Sequence, residues 1–276
     1  MTLVALAVLG RGVVPVDTPL LHADDEGVLR GRSVFETLRV YDGMPFKLEE
    51  HLDRLAMSAE RIHLPPPPRA ELASIAQEAI AAAAPPDATL RFLWIAGREH
   101  GGAPIGLALV STLPPDLDAQ RARGLRLSVL LWSPGALAGV KSTSYAANMA
   151  AQDEAVRAGA DDGLLVAADD TVLEAPTSNV WFRDGDRLLT PSLELPILAG
   201  VTRATLRELA PALGYEIEEG TYPLARLLGA DEVFLSASIR EVMPVVAVAD
   251  VEFPRGPAAA ALQTALRAAA GYSEGR

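Results

Sequence analysis

The Asp42-Gly43 step is the sharpest constraint this chain places on its own fold. It joins a strand-like run at residues 33–41 to a second apolar run at 44–48, and Asp-Gly at such a junction supplies the two positive-φ positions of a tight hairpin. Neighbouring strands are therefore expected to pair antiparallel, which a doubly wound parallel sheet does not do. Further strands are expected at 2–9, 90–96 and 105–113. An amphipathic helix at 49–62 is read from Leu52, Leu55, Ala59 and Ile62, and an Ala-rich helix at 69–84 follows the break at Pro65 to Pro68.

The second half repeats the mixture. Strands are expected at 125–132, 163–168, 171–173, 180–183, 187–190, 216–220, 232–236 and 245–249, and helices at 146–158, 201–213 and 257–270. Hairpin-clustered strands with helices between the clusters indicate an α+β fold. Pro114, Pro115 and the polar residues up to Gly124 read as a connection, so the expected division is a small domain at 1–113, a linker at 114–123 and a larger domain at 124–276.

Composition narrows the function. At 276 residues and 50% hydrophobic the chain can bury a large core, and its net charge of −12 disfavours nucleic acid and anionic membrane as partners. The expected partner is a small molecule. There is no cysteine, and His22, His51, His63 and His100 are scattered, so neither a thiolate nucleophile nor a metal site is expected. The N-terminal apolar run lacks a basic flank and a cleavage site, and a cytoplasmic location is expected.

Two lysines stand against 22 arginines, and one of them, Lys141, opens the small-residue segment Lys141-Ser142-Thr143-Ser144-Tyr145-Ala146-Ala147-Asn148. A primary amine can lose its proton when desolvated and condense with a carbonyl, which a guanidinium cannot do. Lys141 is a Schiff-base candidate, with coding bias toward arginine as the plainer explanation.

Three further islands accompany it. One is Gly31-Arg32-Ser33-Val34-Phe35-Glu36-Thr37-Leu38-Arg39 followed by His51-Leu52-Asp53-Arg54-Leu55. Another is Glu174-Ala175-Pro176-Thr177-Ser178-Asn179-Val180 with Leu198-Ala199-Gly200-Val201-Thr202-Arg203. The last is Asp231-Glu232-Val233-Phe234 with Ser236-Ala237-Ser238. In this order and spacing they resemble the class IV aminotransferases, the pyridoxal-phosphate enzymes of fold type IV. That group includes D-amino-acid and branched-chain aminotransferases and aminodeoxychorismate lyases. The resemblance runs from about residue 21 to about residue 250.

The resemblance implies a small N-terminal α/β domain and a larger C-terminal domain with a barrel-like mixed sheet. It implies pyridoxal 5'-phosphate, held covalently by Lys141, with Lys141 also moving the proton. Glu174 is implied to pair with the pyridine nitrogen and so keep the ring an electron sink. Arg54, the N–H groups of Val201 and Thr202, and the Ser238 hydroxyl are implied to cradle the phosphate. Leu198 is implied to line the cofactor, and Tyr145 to reach its phenolate oxygen. From the residues alone, Arg54 also fits an i+4 ion pair with Glu50, and Gly200-Val201-Thr202 a plain helix start.

Substrate residues implied by the family are Phe35, Thr37, Ala237 and Ile239, with Arg98, His100 and Arg30 as candidates for a substrate carboxylate. Thr37 leans toward the lyase, whereas Arg98 and His100 lean toward the D-amino-acid transaminase. The expected activity is a transaminase moving an amino group between an amino acid, D-amino acids favoured and (R)-amines included, and a 2-keto acid. Release of pyruvate from 4-amino-4-deoxychorismate is the first alternative, and branched-chain L-amino-acid transamination the second. A homodimer with shared active sites is implied.

Overall fold

The computed structural model describes residues 1–272, which form two compact units. The first comprises Met1–Pro115 and Val140–Tyr145, and the second Asp116–Gly139 and the chain from Ala146 onward. Residues 273–276, at the end of the expected 124–276 domain, lie outside the described residues.

The first unit contains β1 (Leu3–Val8), β2 (Gly12–Val14), α1 (Glu26–Arg30), β3 (Ser33–Tyr41), β4 (Met44–Pro45), α2 (Leu48–Arg61), α3 (Arg69–Ala83), β5 (Asp87–Ile95) and β6 (Ile105–Ser111). Its six strands run in the order β2-β1-β6-β5-β3-β4. Every pair is antiparallel. Asp42 and Gly43 take φ values of 48° and 76°, the double positive-φ turn that Asp-Gly favours. The strand expected at 44–48 stops at Pro45, because proline has no N–H for the ladder and Lys47 turns left-handed (φ 56°) to start α2.

Side chains alternate along β3, so Val34, Glu36, Leu38 and Val40 fall on one face while Phe35, Thr37 and Arg39 fall on the other. The first face joins the core with Leu52, Leu55 and Ala59 of α2 and with Leu72, Ile75 and Ala76 of α3. Fully burying a leucine contributes roughly 1.5–3 kcal/mol, so Leu52 and Leu55 fix α2 against this sheet. Glu36 places a carboxylate on that apolar face, with no exposure to solvent.

The segment from Val140 to Tyr145 returns to the same sheet. Ser142 bridges Val34 antiparallel, Phe35 N donates to Lys141 O at 3.0 Å, and Thr143 N donates to Ser33 O at 2.9 Å. Thr143 and Ser144 hydroxyls both donate to Gly31 O at 3.1 Å. Gly31 holds φ 62°, and a Cβ there would collide with the Ser144 hydroxyl, so this approach requires glycine.

The second unit contains α4 (Leu117–Arg123), β7 (Leu125–Leu131), α5 (Ala146–Arg157), β8 (Asp162–Val166), β9 (Asn179–Asp184), β10 (Arg187–Pro191), α6 (Val201–Leu209), β11 (Glu216–Gly220), α7 (Leu224–Leu228), β12 (Glu232–Ala237), β13 (Glu241–Val248), β14 (Val251–Glu252) and α8 (Pro257–Ala269). The sheet order is β11-β10-β9-β12-β13-β7-β8, with β14 on β13. It is mixed, with β10/β11, β13/β7 and β7/β8 parallel and the other pairs antiparallel.

Three expectations are corrected here. Residues 117–123, read as linker, form α4, whose carbonyl at Gln120 accepts the Gly124 N–H. The strand expected at 171–173 is reduced to isolated bridges, Val166 to Val172 and Thr171 to Pro223. The strand expected from 245 begins at Glu241 and carries Pro244 through its middle. No described helix is long and apolar enough to cross a membrane.

Candidate active site

In the first unit, Lys141 Nζ lies 4.6 Å from the centroid of the Phe35 ring and 5.9 Å from that of Tyr145. The two rings meet edge to face at 5.4 Å. The backbone N–H of Lys141 donates to Ser58 Oγ of α2 at 3.2 Å. The amine is therefore half-buried between aromatic faces on a segment pinned at both ends, a setting that suits a nucleophilic amine.

Arg54 is built into a buried cluster. Its Nε and Nη2 donate to Glu36 Oε1 and Oε2, both at 2.7 Å, and His51 Nδ1 lies 2.7 Å from Glu36 Oε2. Burial would push the Glu36 carboxyl up, but Arg54 foremost and then His51 hold it down at about 2. Burial also holds the His51 imidazole below its usual value despite the upward pull of Glu36. The ionised Glu36 can only accept, so the His51 proton sits on Nδ1. Arg54 pairs with Glu36, and Glu50 pairs with Lys47 at 3.0 Å. The Nε and Nη2 edge of the Arg54 guanidinium is thus committed to Glu36.

Thr37 and Arg91 face each other across β3 and β5. Arg91 Nε donates to Thr37 Oγ1 at 3.3 Å, and the guanidinium carbon lies 5.9 Å from the Phe35 ring centroid. Burial holds this guanidinium below its usual value, with Tyr145 pulling it back up. It carries charge at neutral pH all the same. Among the described residues no carboxylate pairs with Arg91. The carboxylate candidates read from sequence are engaged differently. Arg98 is bidentate on Asp24 at 2.8–3.0 Å, Arg30 at the end of α1 pairs with Glu99, and the side chains of Arg30, Arg98 and His100 are exposed.

In the second unit, Glu174 and Asn179 flank a tight turn. Ala175 and Ser178 form an antiparallel bridge, which sets residues 174 and 179 opposite each other. Asn148 of α5 braces that turn by donating to Pro176 O at 2.9 Å. Asn179 Nδ2 donates to Glu174 Oε2 at 3.1 Å and to Leu198 O at 2.9 Å, while Leu198 N donates to Glu174 Oε1 and Oε2 at 3.2 and 3.1 Å. Two N–H donors aimed at one carboxylate favour its ionised form.

Helix α6 starts at Gly200 without a side-chain cap, and its first turn carries no acidic residue. The N–H groups of Val201 and Thr202 precede the first helical bond, from Ala204 to Gly200 O, and present the positive end of the helix dipole. Ser238, Ala237 and Ile239 lie half-buried at the end of β12 and in the turn after it. Among the described residues, the buried Ser178 hydroxyl has no hydrogen-bond partner.

These groups fit pyridoxal phosphate. The first unit holds an amine between aromatic rings and a guanidinium fixed in orientation. The second holds a carboxylate served by N–H donors, an uncapped helix start and an unpartnered hydroxyl. Sequence reading assigned no role to Arg91, Glu36, His51, Ser178 or Asn179. Arg91 had a signal, a lone arginine in the apolar run 88–96, but its partner Thr37 lies 54 residues away and only strand register joins them.

The family model described as amino-transferase class IV matches residues 33–248. The bifunctional aminodeoxychorismate lyase / D-amino acid transaminase of Mycobacterium tuberculosis is 36% identical over 260 residues, covering 87% of this chain and 90% of that protein. The aminodeoxychorismate lyase of Bacillus subtilis is 32% identical, covering 88% and 87%. Among solved structures, a hypothetical aminotransferase from M. tuberculosis, in a PLP-bound form and in a form with alpha-ketoglutarate and PMP, matches with a TM-score of 0.90. It is 33% identical, over 96% of this chain and 98% of that one.

Proposed function

The chain belongs to the class IV aminotransferases, with the fold type IV architecture and a requirement for pyridoxal 5'-phosphate, and from that premise we propose that it transaminates carboxylate-bearing amines, D-amino acids foremost, with a 2-keto acid as acceptor. The observation that carries this reading is Arg91, a half-buried cation held by Thr37 and the Phe35 ring with no described carboxylate partner. Lys141 approaches the same ring. A guanidinium so placed is an anchor for a substrate carboxylate.

When bound, the cofactor supplies an electron sink for bond cleavage at the amine-bearing carbon. We assign Lys141 Nζ as the group that would hold the cofactor's aldehyde carbon and accept the proton from the amine-bearing carbon of the substrate. Glu174 supplies the negative charge that keeps the ring nitrogen protonated. Arg54, Val201, Thr202 and Ser238 bind the phosphate, Leu198 and Tyr145 orient the ring, and Phe35, Thr37, Ala237 and Ile239 border the substrate. Arg98, Arg30 and His100 stay candidates for a more distant carboxylate. A homodimer is part of the proposal, supported by the exposed Val13, Val16, Val28 and Leu29 of the first unit.

The Thr37–Arg91 bond supports a second reading, the lyase that releases pyruvate from 4-amino-4-deoxychorismate, since it pairs the residue that leans toward that family with a carboxylate binder. A single-turnover spectrum separates the two. Transamination bleaches the cofactor's visible band with D-alanine or D-glutamate, whereas the lyase yields pyruvate with no keto-acid acceptor and keeps the band. Pyruvate release with no bleaching by any amino acid would overturn the first reading.

A further inference from the structure

We propose that Asn179 is a positioning residue for Glu174, fixing both the orientation and the charge of the carboxylate. The proposal rests on the reading that Glu174 faces the cofactor's ring nitrogen. Asn179 is buried, and both hydrogens of its amide are directed at acceptors, Glu174 Oε2 at 3.1 Å and Leu198 O at 2.9 Å. The reverse amide orientation would set Oδ1 against two acceptors, so chemistry allows only this one. The bridge between Ala175 and Ser178 puts Asn179 opposite Glu174 in register, and so the residue cannot slide along the strand.

Gly200 completes the arrangement. Its φ of −69° is open to any residue, so the backbone does not require glycine there. Space does, because a Cβ would fall inside van der Waals contact of Asn179 Oδ1 and 3.2 Å from Arg203 Cβ. Helix α6 therefore starts close against the Asn179 amide, while Leu198, two residues earlier, donates its own N–H to the same carboxylate. An aspartate at 179 would be nearly isosteric yet would put a second carboxylate within hydrogen-bond distance of Glu174, and two such groups share a proton. Glu174 would then no longer present a full negative charge.

The test uses the holoenzyme carrying cofactor labelled with nitrogen-15 at the ring, read by NMR, which reports ring protonation and not turnover. The wild type is expected to show a protonated ring, and Asn179→Asp a signal moved toward that of unprotonated pyridine, in the direction that Glu174→Gln moves it. A wild-type signal in Asn179→Asp, with Glu174→Gln shifted, overturns the role of Asn179 and leaves the role of Glu174 standing. An unmoved signal in Glu174→Gln instead overturns the reading beneath it. Should Asn179→Asp fail to fold, Gly200→Ala decides. It displaces the amide without changing its charge, so a shifted signal is expected and a wild-type signal overturns the proposal.

Discussion

Glu36 grips Arg54 through two 2.7 Å hydrogen bonds on the apolar face of a sheet, where the carboxylate has no exposure to solvent. Its carboxyl sits at about 2 in the folded chain, against an ordinary value of 4.5. A lowered folded value stabilises the fold in full above about 4.5, and the contribution is lost as pH falls toward 2. Urea unfolding across pH should therefore show stability dropping through that window. Glu36→Gln, which takes the charged partner from a buried guanidinium, should lower stability at neutral pH by about 3–5 kcal/mol. It should also flatten the acid-side loss, and an unchanged acid profile would contradict the assignment.

Arg91→Ala should raise KM for D-amino acids by roughly 10- to 100-fold, the loss of a charge-assisted carboxylate contact of about 1.5–3 kcal/mol. Amines without a carboxylate should be spared. Thr37→Val removes only the hydroxyl that Arg91 donates to, and a smaller rise of the same kind is expected. Steady-state kinetics with paired substrates check this, and equal losses on both amine classes would remove Arg91 from the substrate.

The first unit was legible at the level of local chemistry. Ser33–Tyr41 is a strand with the bounds its pattern gives, Asp42-Gly43 turns as its composition requires, and α2 is displaced by one residue from its apolar stripe. What could not be read were relations set by register. Glu36 reads as a polar break in a strand until β3 lies against α2, and Arg91 reads as an isolated charge until β5 places it across from Thr37. The expected run at 171–173 misled for a similar reason. Its apolar residues are buried by neighbours on both sides, Val166 and Tyr222, and not by a strand ladder of their own.

Gly256→Ala should destabilise the second unit by about 1–3 kcal/mol without touching chemistry. Both oxygens of Glu232 cap α8, accepting from Ala258 N at 3.0 Å and Ala259 N at 2.8 Å. A Cβ on Gly256 would collide with that carboxylate. Thermal unfolding of the holoenzyme should show the loss, while single-turnover rates at low temperature stay at the wild-type value. A wild-type melting temperature would mean the cap tolerates displacement.

Borohydride reduction of the holoenzyme followed by peptide mapping tests the central claim most directly, that the half-buried amine between Phe35 and Tyr145 is the covalent anchor. The account predicts one labelled peptide, carrying pyridoxyl mass on Lys141, and no label in a Lys141→Ala chain, which should also have no turnover. Label on Lys47, the chain's other lysine, or a Lys141→Ala chain that still turns over at the wild-type rate, would contradict it.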